Sequence, residues 1–309
     1  MAPVLEPAAQ DFANATSTPP FLYQKPPEEG RKIFNDVQKE SIAYSDGITT
    51  SWIDFKDHRV KLIKPTASAQ KKLPVLFYIH GGGWVFGSPD AFGRLLGELA
   101  KRADAAVFAI DYTLSPEAKY PTALDQAWAT LEFIEQNADK YNVDGKKIAI
   151  AGDSVGGNMT AITSLRAQKS RLLGQILFYP VCDFSFDSES YKDFASGYFL
   201  ARDGMKWFFE QYTKGTDASP EDPRISVLRT PRDALSKAPP ALVITGEADV
   251  LRDHGEQYAE KLREAGIDVT SVRFGGIIHD FLLLDPLKDT GAAKAGRTLA
   301  VEQLKEWYK

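Results

Sequence analysis

From about residue 73 onward, short and mostly apolar runs alternate with longer amphipathic stretches. That alternation is the pattern of a largely parallel sheet whose strands are covered by helices on both faces. The runs at residues 73–79, 105–110, 147–151, 175–179, 241–245 and 269–274 predict strands. Leu124, Trp128, Leu131 and Ile134/Glu135 recur at helical spacing behind Pro121, which predicts a covering helix with Pro121 as its first residue. Tyr258 and Leu262 share a face in a second predicted helix at residues 255–265, with Gly266 as a left-handed stop. Residues 292–308 read as a third helix and residues 158–168 as a fourth.

Two stretches break the alternation. Residues 1–45 are rich in proline and aromatics (Phe12, Phe21, Tyr23, Phe34), and residues 184–225 carry Phe184, Phe186, Trp207, Phe208, Phe209 and Tyr212. An apolar insertion of that length between two sheet strands is either extra core or a lid over a pocket.

Composition narrows the function classes. A chain of 309 residues buries roughly 75% of its unfolded surface around one core, so neither disulfides nor metal are needed for folding. A net charge of −5 without a Lys/Arg run leaves no footprint for a nucleic-acid backbone or an anionic lipid surface. Cys182 is the single cysteine and has no internal partner, so it reads as a small buried apolar residue. The first residues lack the basic start and apolar run of a secretory signal, and no segment reaches membrane-spanning length, so a cytoplasmic location is expected. Asn14-Ala-Thr and Asn158-Met-Thr match the glycosylation pattern, which counts for little without such a signal.

The chemistry concentrates after the predicted strand ending at Ala151, where Gly152-Asp153-Ser154-Val155-Gly156 forms a Gly-x-Ser-x-Gly sequence. In this pattern a strained strand-to-helix turn lifts the serine hydroxyl to the top of a sheet, and flanking glycines leave room for strand and helix to approach. A serine hydroxyl barely ionises at neutral pH, so it needs a base, and the base needs an acid to fix its tautomer. Four histidines compete for the first role. His58 lies among charged residues and reads as a surface side chain, His80 precedes three glycines, and His254 reads as a polar first-turn helix residue. His279 follows the last predicted strand in Gly275-Gly276-Ile277-Ile278-His279, at a strand's carboxyl end where active-site groups gather. Asp249 follows the strand at 241–245 and is preferred as the orienting acid over Glu247, nearer the strand, and Asp253, a candidate helix cap. His80-Gly81-Gly82-Gly83-Trp84 follows the first parallel strand, where glycine lets backbone N–H groups face an oxyanion. Gly82, Gly83 and Val155 are the expected donors.

These motifs resemble those of the hormone-sensitive-lipase-like branch of the α/β hydrolases, the bacterial family IV esterases, from about Leu73 to Phe281. The resemblance rests on residues 80–84, on Asp111-Tyr-Thr-Leu-Ser-Pro-Glu117 with Tyr120-Pro121, on residues 152–158, on Asp249-Val-Leu-Arg-Asp253 and on His279-Asp-Phe281. It implies an α/β-hydrolase fold with a mostly parallel central sheet and a helical cap, and a Ser154, Asp249 and His279 triad. It also implies hydrolysis of short- to medium-chain acyl esters without metal or cofactor. The cap would come from residues 1–45 and about 184–225, leaving residues 46–309 as the catalytic domain, and the Asp111–Glu117 motif would support the site. Three positions depart from the family: Val155 stands for Ala, Val250 for Pro and Asp280 for Gly. Val155 is expected to narrow the pocket and Asp280 to add charge near the histidine. The same machinery serves amide deacylation. Plant gibberellin receptors resemble the family without turnover, but they lack the catalytic histidine that His279 supplies here. A small-molecule ester is the expected partner, and a homodimer remains open.

Overall fold

The computed structural model describes residues 3–68 and 70–309. Eight strands form one sheet in the order β1-β2-β4-β3-β5-β6-β7-β8. They are β1 Ile48–Asp54, β2 Arg59–Pro65, β3 Leu73–Ile79, β4 Ala106–Asp111, β5 Val143–Asp153, β6 Gly174–Phe178, β7 Ala241–Ala248 and β8 Val269–Ile278. The pairs β1–β2 and β2–β4 are antiparallel, and the pairs from β4 across to β8 are parallel. All six predicted strands are present. The strand predicted from residue 147 begins earlier, at Val143, and the last runs on through Gly275 and Gly276 to Ile278, so His279 directly follows a strand rather than sitting in a glycine loop.

The helices are α1 Pro7–Ala15, α2 Pro27–Val37, α3 Lys39–Ile42, α4 Gly93–Ala103, α5 Thr122–Asn137, α6 Ser154–Ala167, α7 Glu189–Asp193, α8 Arg202–Thr213, α9 Arg232–Leu235, α10 Arg252–Glu264 and α11 Gly291–Tyr308. Three helix starts differ from expectation: Pro121 precedes α5 instead of opening it, α6 begins at Ser154 itself, and α10 begins at Arg252. Gly266 takes the expected left-handed conformation, with φ +83°.

The glycines show how closely the layers approach and on which faces. A Cβ on Gly152 would lie 2.4 Å from the Gly156 carbonyl oxygen, which seats α6 directly on β5. A Cβ on Gly174 would lie 2.4 Å from the Trp307 ring of α11. Gly174 pairs with Ala149, three positions before Gly152. That odd separation puts α6 and α11 on opposite faces of the sheet. The inner strands between them are largely buried, as in the unbroken buried run Val75–Ile79 of β3.

His58 is buried, which corrects the surface expectation. The tight turn between β1 and β2 stacks its ring on Phe55 (4.2 Å between centroids) and brings Nε2 within 3.0 Å of Thr130 Oγ1 on α5. Cys182 is buried, as expected. Asn158 is buried too, donating from its side chain to the Val181 and Ile225 carbonyls at 3.0 and 2.8 Å, so its glycosylation pattern is closed off in the folded chain. Among the described residues, no helix is long and apolar enough to cross a membrane.

Candidate active site

Ser154 stands where β5 ends and α6 begins, with φ +54°. A non-glycine residue in that region is strained. The strain is held by packing below: a Cβ on Gly156 would lie 2.1 Å from the Ile79 carbonyl oxygen, so only glycine lets the first turn of α6 press against β3 and fix the hydroxyl in place.

His279 closes on this serine from the carboxyl end of β8. Its Nε2 lies 3.1 Å from Ser154 Oγ, and its Nδ1 lies 2.6 Å from Asp249 Oδ2. Asp249 Oδ1 accepts from the Leu251 N–H at 2.9 Å, which locks the carboxylate's orientation. The fold brings Ser154, His279 and Asp249 into one hydrogen-bonded line. The other carboxylates weighed for the acid position are committed elsewhere. Glu247 accepts from the Gly276 N–H at 2.7 Å, and Asp253 accepts from the Ser190 N–H at 2.7 Å instead of capping α10, whose cap position is Leu251.

The glycine loop faces the same point. Gly82 and Gly83 have φ +97° and +66°, and neither donates its N–H to a backbone carbonyl among the described residues. Val155 is the second residue of α6, whose first-turn N–H groups have no partner within the helix. Beneath the loop, Asp153 Oδ1 accepts from the Gly81 N–H (3.0 Å) and the Tyr78 hydroxyl (2.8 Å). The position just before the nucleophile therefore ties the loop to the serine's own strand. The Gly-x-Ser-x-Gly spacing alone does not mark that role for Asp153.

His80 is an internal strut. Its ring stacks on Tyr112 at 4.3 Å between centroids, Nδ1 lies 2.8 Å from the Gly81 carbonyl, and burial pushes its pKa down to about 4. His254 is likewise buried, in the first turn of α10, and burial holds it neutral in the same way.

Arg31 on α2 was also missed, because its partners are distant in the chain. It donates to the Val85 and Ser115 carbonyls at 2.9 and 3.0 Å and to both Glu117 carboxylate oxygens at 2.8 and 2.7 Å. One side chain thus joins the N-terminal segment, the glycine loop and the Asp111–Glu117 motif.

A cavity of about 240 Å³ opens above Ser154 and His279. Leu22, Phe34, Phe86, Phe199, Met205 and Phe208 supply apolar walls, drawn from the N-terminal segment, the glycine loop and the 184–225 insertion. Val155, expected to narrow the pocket, is fully buried and is not part of the cavity wall. Asp280 is part of it. Its Oδ1 lies 3.3 Å from His279 Nε2, on the nitrogen that faces Ser154, close enough for charge attraction but without hydrogen-bond alignment. For His279, burial favours the neutral ring, but the Asp249 and Asp280 carboxylates outweigh it and raise the pKa above its ordinary 6.5. Burial and then the nearby Asp280 charge push the Asp153 carboxyl up.

A protein-family model described as the alpha/beta hydrolase fold matches residues 76–283. An ethyl acetate hydrolase of Pseudomonas putida is 34% identical over 235 residues, spanning 75% of this chain and 72% of its own length. A carboxylesterase of Mycobacterium tuberculosis is 33% identical over 267 residues, spanning 85% of this chain and 81% of its own. The crystal structure of a thermostable esterase from Pseudomonas putida ECU1011 superposes with a TM-score of 0.94 at 39% identity, covering 100% of this chain and 99% of that one.

Proposed function

Since the chain belongs to the α/β-hydrolase family, in its hormone-sensitive-lipase-like branch, we propose that it hydrolyses carboxylic esters through an acyl-enzyme on Ser154, with His279 as base and Asp249 as its orienting acid. The observation that carries this reading is the hydrogen-bonded line from Ser154 Oγ through His279 to Asp249, at 3.1 and 2.6 Å, at the floor of an apolar cavity.

In the first step His279 Nε2 takes the Ser154 proton while Oγ bonds to the ester carbonyl carbon. The carbonyl oxygen becomes an oxyanion and accepts from the Gly82, Gly83 and Val155 N–H groups, each of which stabilises the transition state by roughly 3 kcal/mol. His279 then returns its proton to the departing alcohol oxygen as the C–O bond breaks. Water attacks the acyl-enzyme in the mirror sequence, giving up its proton to His279, and the carboxylic acid leaves as Ser154 recovers its own. Asp249 holds the imidazole in the right tautomer and stabilises the imidazolium that forms.

Residues 1–45 and 184–225 act as a cap on this site, which the shared cavity wall supports. The cavity volume lies below the roughly 300–1,000 Å³ of drug-sized pockets, which favours short to medium acyl chains, as does the ethyl acetate hydrolase relative. Hydrolysis of acetyl, butyryl, octanoyl and palmitoyl esters tests this: the rate should peak at acetyl to octanoyl, and a maximum at palmitoyl overturns it. Ser154→Ala should abolish turnover with the fold intact, a loss on the order of 10⁴-fold or more.

A further inference from the structure

Besides the triad, the cavity is lined beside Ser154 and His279 by a further carboxylate, Asp280. Its backbone takes φ +61° and its carbonyl accepts from the Leu283 and Leu284 N–H groups at 2.9 Å each, so a tight turn holds the residue in place. The residue is 6% exposed, borders the cavity, and its Oδ1 has no hydrogen-bond partner among the described residues. A buried carboxylate oxygen left without a donor is costly unless something supplies one.

The charges around the floor decide what would suit it. Asp249 reaches His279 from the loop after β7, Asp280 from the residue following His279, and the Tyr179 ring packs edge-on at 4.8 Å. Even when His279 carries its catalytic proton, two carboxylates face one cation. The other charged side chain on the cavity wall, Lys25, is held by Glu29 at 2.5 Å. Burial pushes the Asp280 carboxyl up while the His279 charge pulls it back down; in its ionised form it gives the floor an excess of negative charge beside the reacting carbon, in a low-dielectric pocket where charge interactions are strong.

Resting on the ester-hydrolase reading, we propose that Asp280 is a charge-selecting residue of the substrate site, favouring esters that bear a cationic ammonium group a few bonds from the scissile carbonyl and disfavouring those that bear a free carboxylate. The ammonium charge offsets the carboxylate excess on the floor. A substrate carboxylate adds to it and also sits close to the oxyanion formed in the first step.

Three acetyl esters of similar size separate charge from shape: acetylcholine (cationic), 3,3-dimethylbutyl acetate (neutral) and O-acetyl-3-hydroxypropionate (anionic). The wild-type kcat/KM should fall in that order. The cationic-to-anionic ratio should drop by about tenfold or more in Asp280→Asn and in Asp280→Gly, the size expected for one unit charge a few ångströms away in a partly screened pocket. Asparagine and glycine both tolerate positive φ, so each keeps the turn. If the wild type hydrolyses anion and cation equally, or both folded variants keep its ratio, the selection role is overturned while ester hydrolysis stands. If the neutral acetate is not hydrolysed at all, the ester-hydrolase reading itself fails.

Discussion

Replacing Arg31 by Met keeps the aliphatic stem and removes every bond the guanidinium makes. Two of those bonds go to backbone carbonyls, at Val85 and Ser115. Each contributes about 1 kcal/mol net, and removing the donor leaves a partly buried acceptor unpaired. The paired bonds to Glu117 contribute less, about 0–1 kcal/mol, because that carboxylate is 54% exposed. The sum is about 2–3 kcal/mol, shared between the Val85 contact beside the glycine loop and the Ser115 and Glu117 contacts with the Asp111–Glu117 motif. Urea denaturation should show a loss of that size, with Glu117→Gln losing no more than about 1 kcal/mol by the same measure. If all of the lost order falls on the loop, the kcat/KM of a butyrate ester should drop by up to roughly 100-fold, since 1.4 kcal/mol is a factor of ten. The Arg31 hydrogen bonds also hold the Glu117 carboxyl below its ordinary pKa. A depressed folded-state pKa contributes stability above the unfolded value that is lost as pH falls through the folded one, so the gap between wild type and Arg31→Met should narrow in acid. An Arg31→Met protein as stable as wild type, or one matching Glu117→Gln, refutes the claim that this side chain clamps the loop.

Asp249→Asn should lower kcat by about 10⁴-fold by presenting the wrong histidine tautomer, with a near-native melting temperature; a loss under tenfold argues against the orienting role. Gly83→Ala places a Cβ 2.1 Å from Phe208 Cδ1 at φ +66° and should cut kcat/KM by about 10²-fold. Adding Phe208→Ala should recover part of that loss by relieving the clash, and no recovery would point to backbone strain instead. The base must be neutral to accept the serine proton, and the Asp249 and Asp280 charges favour the protonated ring. Activity should therefore rise with pH through a value above 6.5 and be lost below it, and Asp280→Asn should move that acidic limb to lower pH. An unmoved limb in this variant would mean that the Asp280 charge does not reach the imidazole.

The inner parallel strands were legible because burial on both faces leaves them mostly apolar, as in β3 and in β6, where Gln175 is the one polar side chain. The β1–β2 edge was not, because its strands mix in charge: the Arg59 guanidinium and the Lys61 ammonium lie over the Trp52 ring at 4.4 and 5.8 Å, so an aromatic strand residue is covered by cations. Helix α4 was hidden by its glycines, which look like breakers in a sequence. In the fold they are contact points, since a Cβ on Gly93 would lie 2.3 Å from the Ser41 carbonyl oxygen and one on Gly97 would lie 2.5 Å from the Tyr44 ring. The triad was readable because each member sits at the carboxyl end of a predicted strand, where position follows from topology. Arg31 joins residues 54 to 86 positions away, and the direction of the Asp280 carboxylate depends on a left-handed turn. Neither leaves a mark in local spacing.

The most direct test of the account is where a fluorophosphonate probe attaches. Peptide mass spectrometry of the treated protein should find one stoichiometric adduct on Ser154, lost in Ser154→Ala and strongly slowed in His279→Ala. An adduct at another serine, or unchanged labelling in Ser154→Ala, would contradict the claim that this residue is the nucleophile.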